Sequence, residues 1–169
     1  MLLRVAVITV SDRSFLGERV DESGPALAAC LAAEGWRVTG TQLVPDEQEQ
    51  IRAALLAWIT NDAADVILTT GGTGFAPRDV TPEATQSLIE KDAPGLAEVM
   101  RASGLRISPH AMLSRARAGI RGRTLIVNLP GSPTGAVESL QAILPALGHA
   151  VQLLRGDAAA EEGHGKGGV

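Results

Sequence analysis

Short apolar runs alternate along this chain with stretches in which apolar residues recur at helical spacing. Val5 to Val10 reads as a strand closed by Ser11-Asp12-Arg13. Ser23-Gly24-Pro25 opens a helix with Leu27 and Leu31 one turn apart on its buried face, and Gly35 suits its C-terminal cap. Val38 to Val44 is a weaker strand that stops at Pro45-Asp46. Ile51, Leu55, Trp58 and Ile59 then mark one face of a helix, with Trp58 in the core. Asp65 to Thr70 has the length and β-branched content of a buried parallel strand. After two further helical stretches, Ile120 to Arg123 reads as a turn and Thr124 to Leu129 as a strong strand. Pro130-Gly131-Ser132-Pro133 closes that strand, and a long helical pattern runs to about Leu154. Alternating strands and helices predict an α/β fold: three layers, with an open, mostly parallel sheet and helices on both faces.

Four of these strands end in polar or glycine-rich loops: Ser11-Asp12, Pro45-Asp46, Gly71-Gly72-Thr73-Gly74 and Asn128-Leu129-Pro130-Gly131. In an open parallel sheet such loops share one edge, the edge where ligands bind. The third loop is the most informative. Its glycines let backbone N–H groups approach a ligand, and a helix start follows, with Thr81 as N-cap, Pro82 in the first turn and Glu83 near the positive end of the dipole. Strand, glycine turn and helix N-terminus together suit phosphate. Arg78 adds a cation and Asp79 a carboxylate able to take a metal ion. The segment is neither G-x-x-x-x-G-K-[ST] nor G-x-G-x-x-G, and an ordinary glycine-rich turn remains the bland alternative.

Composition narrows the classes. A chain of 169 residues, 45% hydrophobic and 20% charged, fits one soluble globular domain. A net charge of −4 with no tyrosine excludes a nucleic-acid surface, which needs a basic stripe and stacking rings. One cysteine, Cys30, rules out an internal disulfide, and the three histidines lack metal-ligand spacing. No run reaches membrane-spanning length, and Arg4 interrupts the apolar opening, so a cytoplasmic location is expected. The folded unit is expected over 1–156, and 157–169, without periodicity, as a disordered tail.

Five segments occur in order: TVSDRS from Thr9, Pro45-Asp46-Glu47, TTGGTGFAPRDVTPEAT from Thr69, AMLSRARAGIRG from Ala111 and NLPGSP from Asn128. Together they resemble the Mog- and MoaB-type molybdopterin adenylyltransferases and the matching domain of gephyrin. The resemblance implies a molybdopterin-binding domain over 1–156. It also implies transfer of AMP from ATP to molybdopterin with release of pyrophosphate, assisted by a divalent cation, Mg2+. Molybdopterin brings its own phosphate nucleophile, so no activated serine, cysteine or histidine is needed.

The resemblance makes Asp46 and Asp79 the catalytic, metal-holding acids. Each also has a plainer reading: Asp79 as a turn carboxylate capping the helix near Thr81, and Asp46 as N-cap of a capping box with Glu49. It assigns Gly71, Gly72, Thr73, Gly74 and Arg78 to phosphate or pterin-side oxygens, and Ser11 and Asp12 to the same cleft. Ser114 and Arg115 fall in the substrate wall, where Arg115 could pair with phosphate. Asn128, Pro130 and Gly131 fall near the nucleotide. Phe75 either touches a ring or packs beneath the loop. The family also implies a homotrimer and transient contact with a molybdenum-insertion protein. The alternative is a MoaB-like homologue that binds molybdopterin without turning it over.

Overall fold

The computed structural model describes residues 2–157. In chain order they form β1 (Arg4–Val10), α1 (Asp12–Phe15), α2 (Ser23–Ala33), β2 (Arg37–Val44), α3 (Gln48–Thr60) and β3 (Val66–Thr70). Then come α4 (Thr81–Gln86), β4 (Lys91–Asp92), α5 (Pro94–Leu105), a 3-10 turn (Pro109–Leu113), β5 (Ala118–Arg121), β6 (Thr124–Leu129) and α6 (Pro133–Arg155). The six strands make one sheet in the order β2-β1-β3-β6-β5-β4. The first four run parallel, and β5 and β4 are antiparallel additions.

Side chains on a strand alternate between faces, and the core divides accordingly. Val5, Val7, Leu68, Leu125 and Val127 pack on one face with Leu27 and Leu31 of α2, Met100 of α5, and Leu140, Ile143 and Leu147 of α6. Ala6, Ile8, Ile67 and Ile126 pack on the other with Ile51 and Leu55 of α3 and Ala84 of α4. Trp58 lies partly buried against this second cluster. The three-layer expectation therefore holds, with a mixed sheet as its refinement.

The expected turn at Ile120 to Arg123 is corrected. Ile120 and Arg121 belong to β5, paired with Leu125 and Thr124, and the reversal is confined to Gly122-Arg123. The segment hides its strand character because it contains Gly119, where a Cβ would stand 2.7 Å from Ile89. Strand β4, two residues long, leaves no pattern to read. The long helix ends at Arg155, with Gly156 left-handed at φ 73°. The expected disordered tail lies outside the described residues, apart from Asp157.

Chain order and space order part company at β1. Its partner on one side is β2, reached through α2, while β3 lies on its other side, reached from β2 through α3. Loops after β1 and β3 therefore diverge to opposite faces and leave a crevice at their carboxyl ends.

The opposite end of the sheet is held by Asp65. Its carboxylate accepts from the Arg4 backbone N–H (2.9 Å), from Arg4 Nη2 (2.9 Å) and from Arg155 Nη2 (2.7 Å). Burial alone would raise this carboxyl, but the hydrogen bonds from Arg4 and Arg155 win and hold it at about 2. A depressed carboxyl contributes stability above its unfolded value of 3.8 and loses it as pH falls through the folded value. The contribution at neutral pH is about 2 kcal/mol. Urea titrations between neutral pH and pH about 2 should show stability falling below the ordinary carboxylate range, and Asp65→Asn should remove that part of the slope. An unchanged slope in the variant would refute the assignment.

Candidate active site

Gly71 and Gly72 shape the crevice. Gly71 sits at φ 103°, and a Cβ there would stand 2.2 Å from the Val10 carbonyl oxygen. Its N–H donates to the Leu129 carbonyl (3.2 Å), so the carboxyl ends of β1, β3 and β6 meet at this residue. A Cβ on Gly72 would lie 2.3 Å from the Thr81 hydroxyl and 3.1 Å from Asp46 Oδ1. The Thr81 hydroxyl donates to the Gly71 carbonyl (2.9 Å), and the Thr81 N–H donates to that of Gly72 (3.1 Å). Thr81 therefore ties α4 to the glycine turn. It is not the N-cap, a position held by Val80 without a side-chain bond.

The acids also differ from their plain readings. The N-cap of α3 is Glu47, again without a side-chain bond, so the Asp46–Glu49 capping box does not form. Asp46 Oδ2 instead accepts from the Asp12 N–H (2.7 Å), and the Asp46 N–H donates to Asp12 Oδ1 (2.9 Å). This reciprocal pair joins the β1 and β2 loops. Asp79 does not cap α4 either: Oδ2 accepts from the Ala76 N–H (2.9 Å) within its own loop. Arg78 reaches across the crevice mouth to Asp12 (2.9 Å) and Glu47 (2.8 Å).

These contacts separate the carboxyls in character. The Arg78 guanidinium holds Asp12 below the usual range. Burial pushes Asp46 up; the Asp12 N–H only partly offsets it, and the charges of Asp12 and Asp79 add to it. Asp46 Oδ1 and Asp79 Oδ1 accept no hydrogen bond from the described residues. Among those residues no group of three or more His, Cys, Asp or Glu could hold a metal ion. Two hard carboxylates beside a phosphate site still suit magnesium, which commonly takes one or two carboxylates, its own waters and substrate phosphates. The donor set fits such an ion only together with a bound polyphosphate.

Two cavities open from the glycine turn. The larger, about 620 Å³, has mostly apolar walls and reaches Met100, Ile107, Ser114 and Thr134. The smaller, about 320 Å³, is lined by polar groups including Ser11, Asp21, Ser23, Asp46 and Thr70. They share Gly72, Asp79, Gly131 and Ser132, so they are two lobes of one cleft with Asp79 at the junction. Thr73, Gly74 and Pro130 face the larger lobe.

Three expected ligand contacts are already engaged within the protein, Arg78 among them through Asp12 and Glu47. Asn128 is fully buried: its Oδ1 accepts from the Arg117 N–H, and its Nδ2 donates to Thr69 and Thr85. It holds β6 to β3 and α4 rather than facing a nucleotide. The Arg115 guanidinium donates to the Gly74 carbonyl, the Asp79 carbonyl and the Glu83 carboxylate, so it is not a free phosphate ligand. Phe75 does not pack beneath the loop; it is 68% exposed.

Asp21 and Ser132 escaped the reading of the sequence. Asp21 accepts from the Thr9 hydroxyl (2.7 Å) and the Gly24 N–H (3.1 Å), holding the start of α2 over the smaller lobe. Ser132 accepts from the Gly135 N–H as N-cap of α6 at the junction of the lobes. The signal was a capping serine directly after NLPG, and for Asp21 a carboxylate three residues before the glycine of a helix start.

Comparison with known proteins gives a consistent set. The family described as "Probable molybdopterin binding domain" matches residues 6–149. A protein of Helicobacter pylori named molybdopterin adenylyltransferase is 39% identical over 157 residues, covering 92% of this chain and 89% of that protein. Gephyrin of Dictyostelium discoideum is 43% identical over 160 residues, covering 89% of this chain; the chain spans only 22% of gephyrin's length. The crystal structure of the molybdopterin biosynthesis enzyme MoaB of Thermus thermophilus superimposes with a TM-score of 0.87 at 53% identity, covering 92% of this chain and 98% of that one.

Proposed function

The chain belongs to the molybdopterin-binding domain family, and on that footing we propose that it is a molybdopterin adenylyltransferase acting in molybdenum cofactor biosynthesis. A terminal phosphate oxygen of molybdopterin attacks the α-phosphorus of ATP. The bond from that phosphorus to the bridging oxygen breaks, and pyrophosphate leaves with its electron pair. The observation that carries this reading is the two-lobed cleft with Asp79 at the junction. The larger, more apolar lobe has room for the pterin and the polar lobe for the nucleotide phosphates. Such a transfer needs two polyanions brought together and their charge offset at the junction.

Asp46 and Asp79 would hold Mg2+, which when bound offsets charge on the phosphates. Gly72 and Gly131 would present backbone to the phosphates at the shared wall, with Gly71 on the polar lobe and Thr73, Gly74 and Pro130 on the larger one. Ser11 lines the nucleotide lobe and Ser114 the pterin lobe, while Asp12 and Arg78 stand outside both linings, paired with each other beside Asp46. The test is pyrophosphate release from ATP with molybdopterin and magnesium. Release dependent on all three supports the reading. Tight molybdopterin binding without release would favour the alternative, a MoaB-like homologue that binds molybdopterin without turning it over.

We also propose a homotrimer in the cytoplasm, in transient contact with a molybdenum-insertion protein. Phe15, Leu16 and Val20 expose 50%, 68% and 77% of their surface and offer apolar area for such contacts. No helix among the described residues is long and apolar enough to cross a membrane. Light scattering giving three times the chain mass is the expected result.

The raised Asp46 supplies a further prediction. Its ionised form is held against burial and two like charges, so Asp46→Asn removes a cost while keeping an acceptor for the Asp12 N–H. Melting at neutral pH should stay the same or rise, while magnesium-dependent turnover falls by roughly tenfold or more. A lower melting temperature with normal turnover would show the carboxylate to be structural.

A further inference from the structure

Residues 75–78, between the glycine turn and Asp79, are all exposed and so gain little from packing. The Asp79 carboxylate has one hydrogen bond of its own, to the Ala76 N–H inside the same exposed span. What fixes the two ends of the span is Arg115. Its Nε donates to the Gly74 carbonyl (2.7 Å) and its Nη2 to the Asp79 carbonyl (2.5 Å). Nη1 and Nη2 also reach the two oxygens of Glu83 on α4. The Arg115 backbone N–H donates to the Thr73 carbonyl (2.8 Å), two residues before the span. Burial would raise Glu83, but the hydrogen bond from Arg115 prevails and keeps its carboxyl low, so the pair stays charged at neutral pH.

The Arg115 peptide is itself held from behind. Arg101 on α5 donates through Nη1 to the Ser114 carbonyl (3.3 Å) and the Ala116 carbonyl (3.2 Å). Arg101 and Ser114 line the larger lobe, while Asp79 lines both. Two arginines in series thus connect the wall of the larger lobe to the acid at the junction.

We infer that Arg115 is a positioning residue that sets the Asp79 carboxylate between the two lobes, and that it is not a ligand of substrate phosphate. A guanidinium has five N–H groups in a planar fork, and four of those of Arg115 already meet protein acceptors. A phosphate would have to displace the contacts that close the loop. Lysine carries the charge but not the fork, so its single nitrogen cannot span acceptors that meet three different nitrogens of Arg115. The inference rests on the reading of the cleft as an adenylyl-transfer site with a divalent ion on Asp79.

The experiment compares the full-length chain with its Arg115→Ala and Arg115→Lys variants. Manganese(II) affinity is read by electron paramagnetic resonance with an α,β-methylene analogue of ATP, alongside kcat and KM for ATP and thermal melting. Arg115→Ala should weaken manganese binding by about tenfold to a hundredfold, as loss of a partner that orients a metal ligand does. Its kcat should fall by a similar factor with KM for ATP within about threefold, and Arg115→Lys should lie between. A large rise in KM for ATP with manganese affinity intact would make Arg115 a phosphate ligand and overturn the inference, as would no change in either. If Arg115→Ala does not fold, Glu83→Gln serves, because it keeps the arginine and loosens one side of its fork. Manganese affinity a few-fold weaker supports the inference, and unaltered affinity overturns it. A wild-type chain that makes no adenylylated product would sink the proposed function. Its manganese affinity, set against that of Arg115→Ala, would still decide the role of Arg115.

Discussion

Asp79→Asn should abolish most turnover while leaving the fold nearly untouched. The carboxylate accepts one hydrogen bond, from the Ala76 N–H, and the asparagine oxygen can accept it too. Arg115 holds the Asp79 backbone carbonyl, which the substitution does not alter. The stability cost should therefore be at most about 1 kcal/mol. The variant loses its negative charge, and a neutral amide is a much poorer magnesium ligand than a carboxylate. If Asp79 acts on the metal or on charge at the α-phosphate, turnover falls by roughly a hundredfold or more, as when an electrostatic stabiliser is lost. Molybdopterin affinity should survive, since the larger lobe offers many other contacts. Thermal melting, molybdopterin affinity and magnesium-dependent product formation check each part. Near-normal turnover would mean the carboxylate is structural and the mechanism wrong.

The largest effect on stability is expected from Gly71→Ala. The backbone there lies at φ 103°, which L side chains rarely adopt, and the new methyl would stand 2.2 Å from the Val10 carbonyl oxygen. Backbone strain of this kind costs about 1–3 kcal/mol. The clash adds a comparable amount, because the obstacle is the end of a paired strand and not a flexible side chain. A loss of roughly 3 kcal/mol or more should lower the melting temperature by about 10 °C in a domain of this size. Gly122→Ala is the control: φ is also positive, at 56°, but nothing lies within 4 Å of the added carbon, so only local strain of about 1–2 kcal/mol is paid. Equal losses in the two variants would show that contact with β1 is not what demands glycine at 71.

The parts of the fold legible in the sequence were those where burial dictates residue type. β1, β3 and β6 are buried on both faces and therefore read as continuous apolar runs. Leu27, Leu31, Ile51 and Leu55 announced their helices because each helix buries one stripe. β4 and β5 were illegible because β5 depends on pairing with β6, β4 on pairing with β5, and Gly119 on Ile89 packing over it, none of which leaves a local pattern. In the candidate site, Asp46 was read at a strand end and Asp79 between the glycine turn and a helix start, but their bonding was not legible. The Asp46–Glu49 spacing matches a capping box, yet the Asp12 N–H, 34 residues away, takes the carboxylate instead. Arg115 likewise shows a cation in the sequence and, only in three dimensions, a closed set of acceptors. Local rules fail where a polar group has a distant partner of better geometry.

Asp65 has a consequence beyond acid stability. Arg4 begins β1 and Arg155 ends α6, and both bond the same carboxylate, so the first strand and the last described helix meet at one side of the fold, within reach of an arginine side chain. That meeting point lies at the amino end of β3, and the cleft opens at its carboxyl end. A unit whose first strand and last described helix meet on one side, far from its working edge, can be spliced into a longer polypeptide at either terminus or as an internal insert without reaching the cleft. Joining the two ends with a short linker and reopening the chain at Gly122 should accordingly yield a circular permutant that keeps the cleft intact.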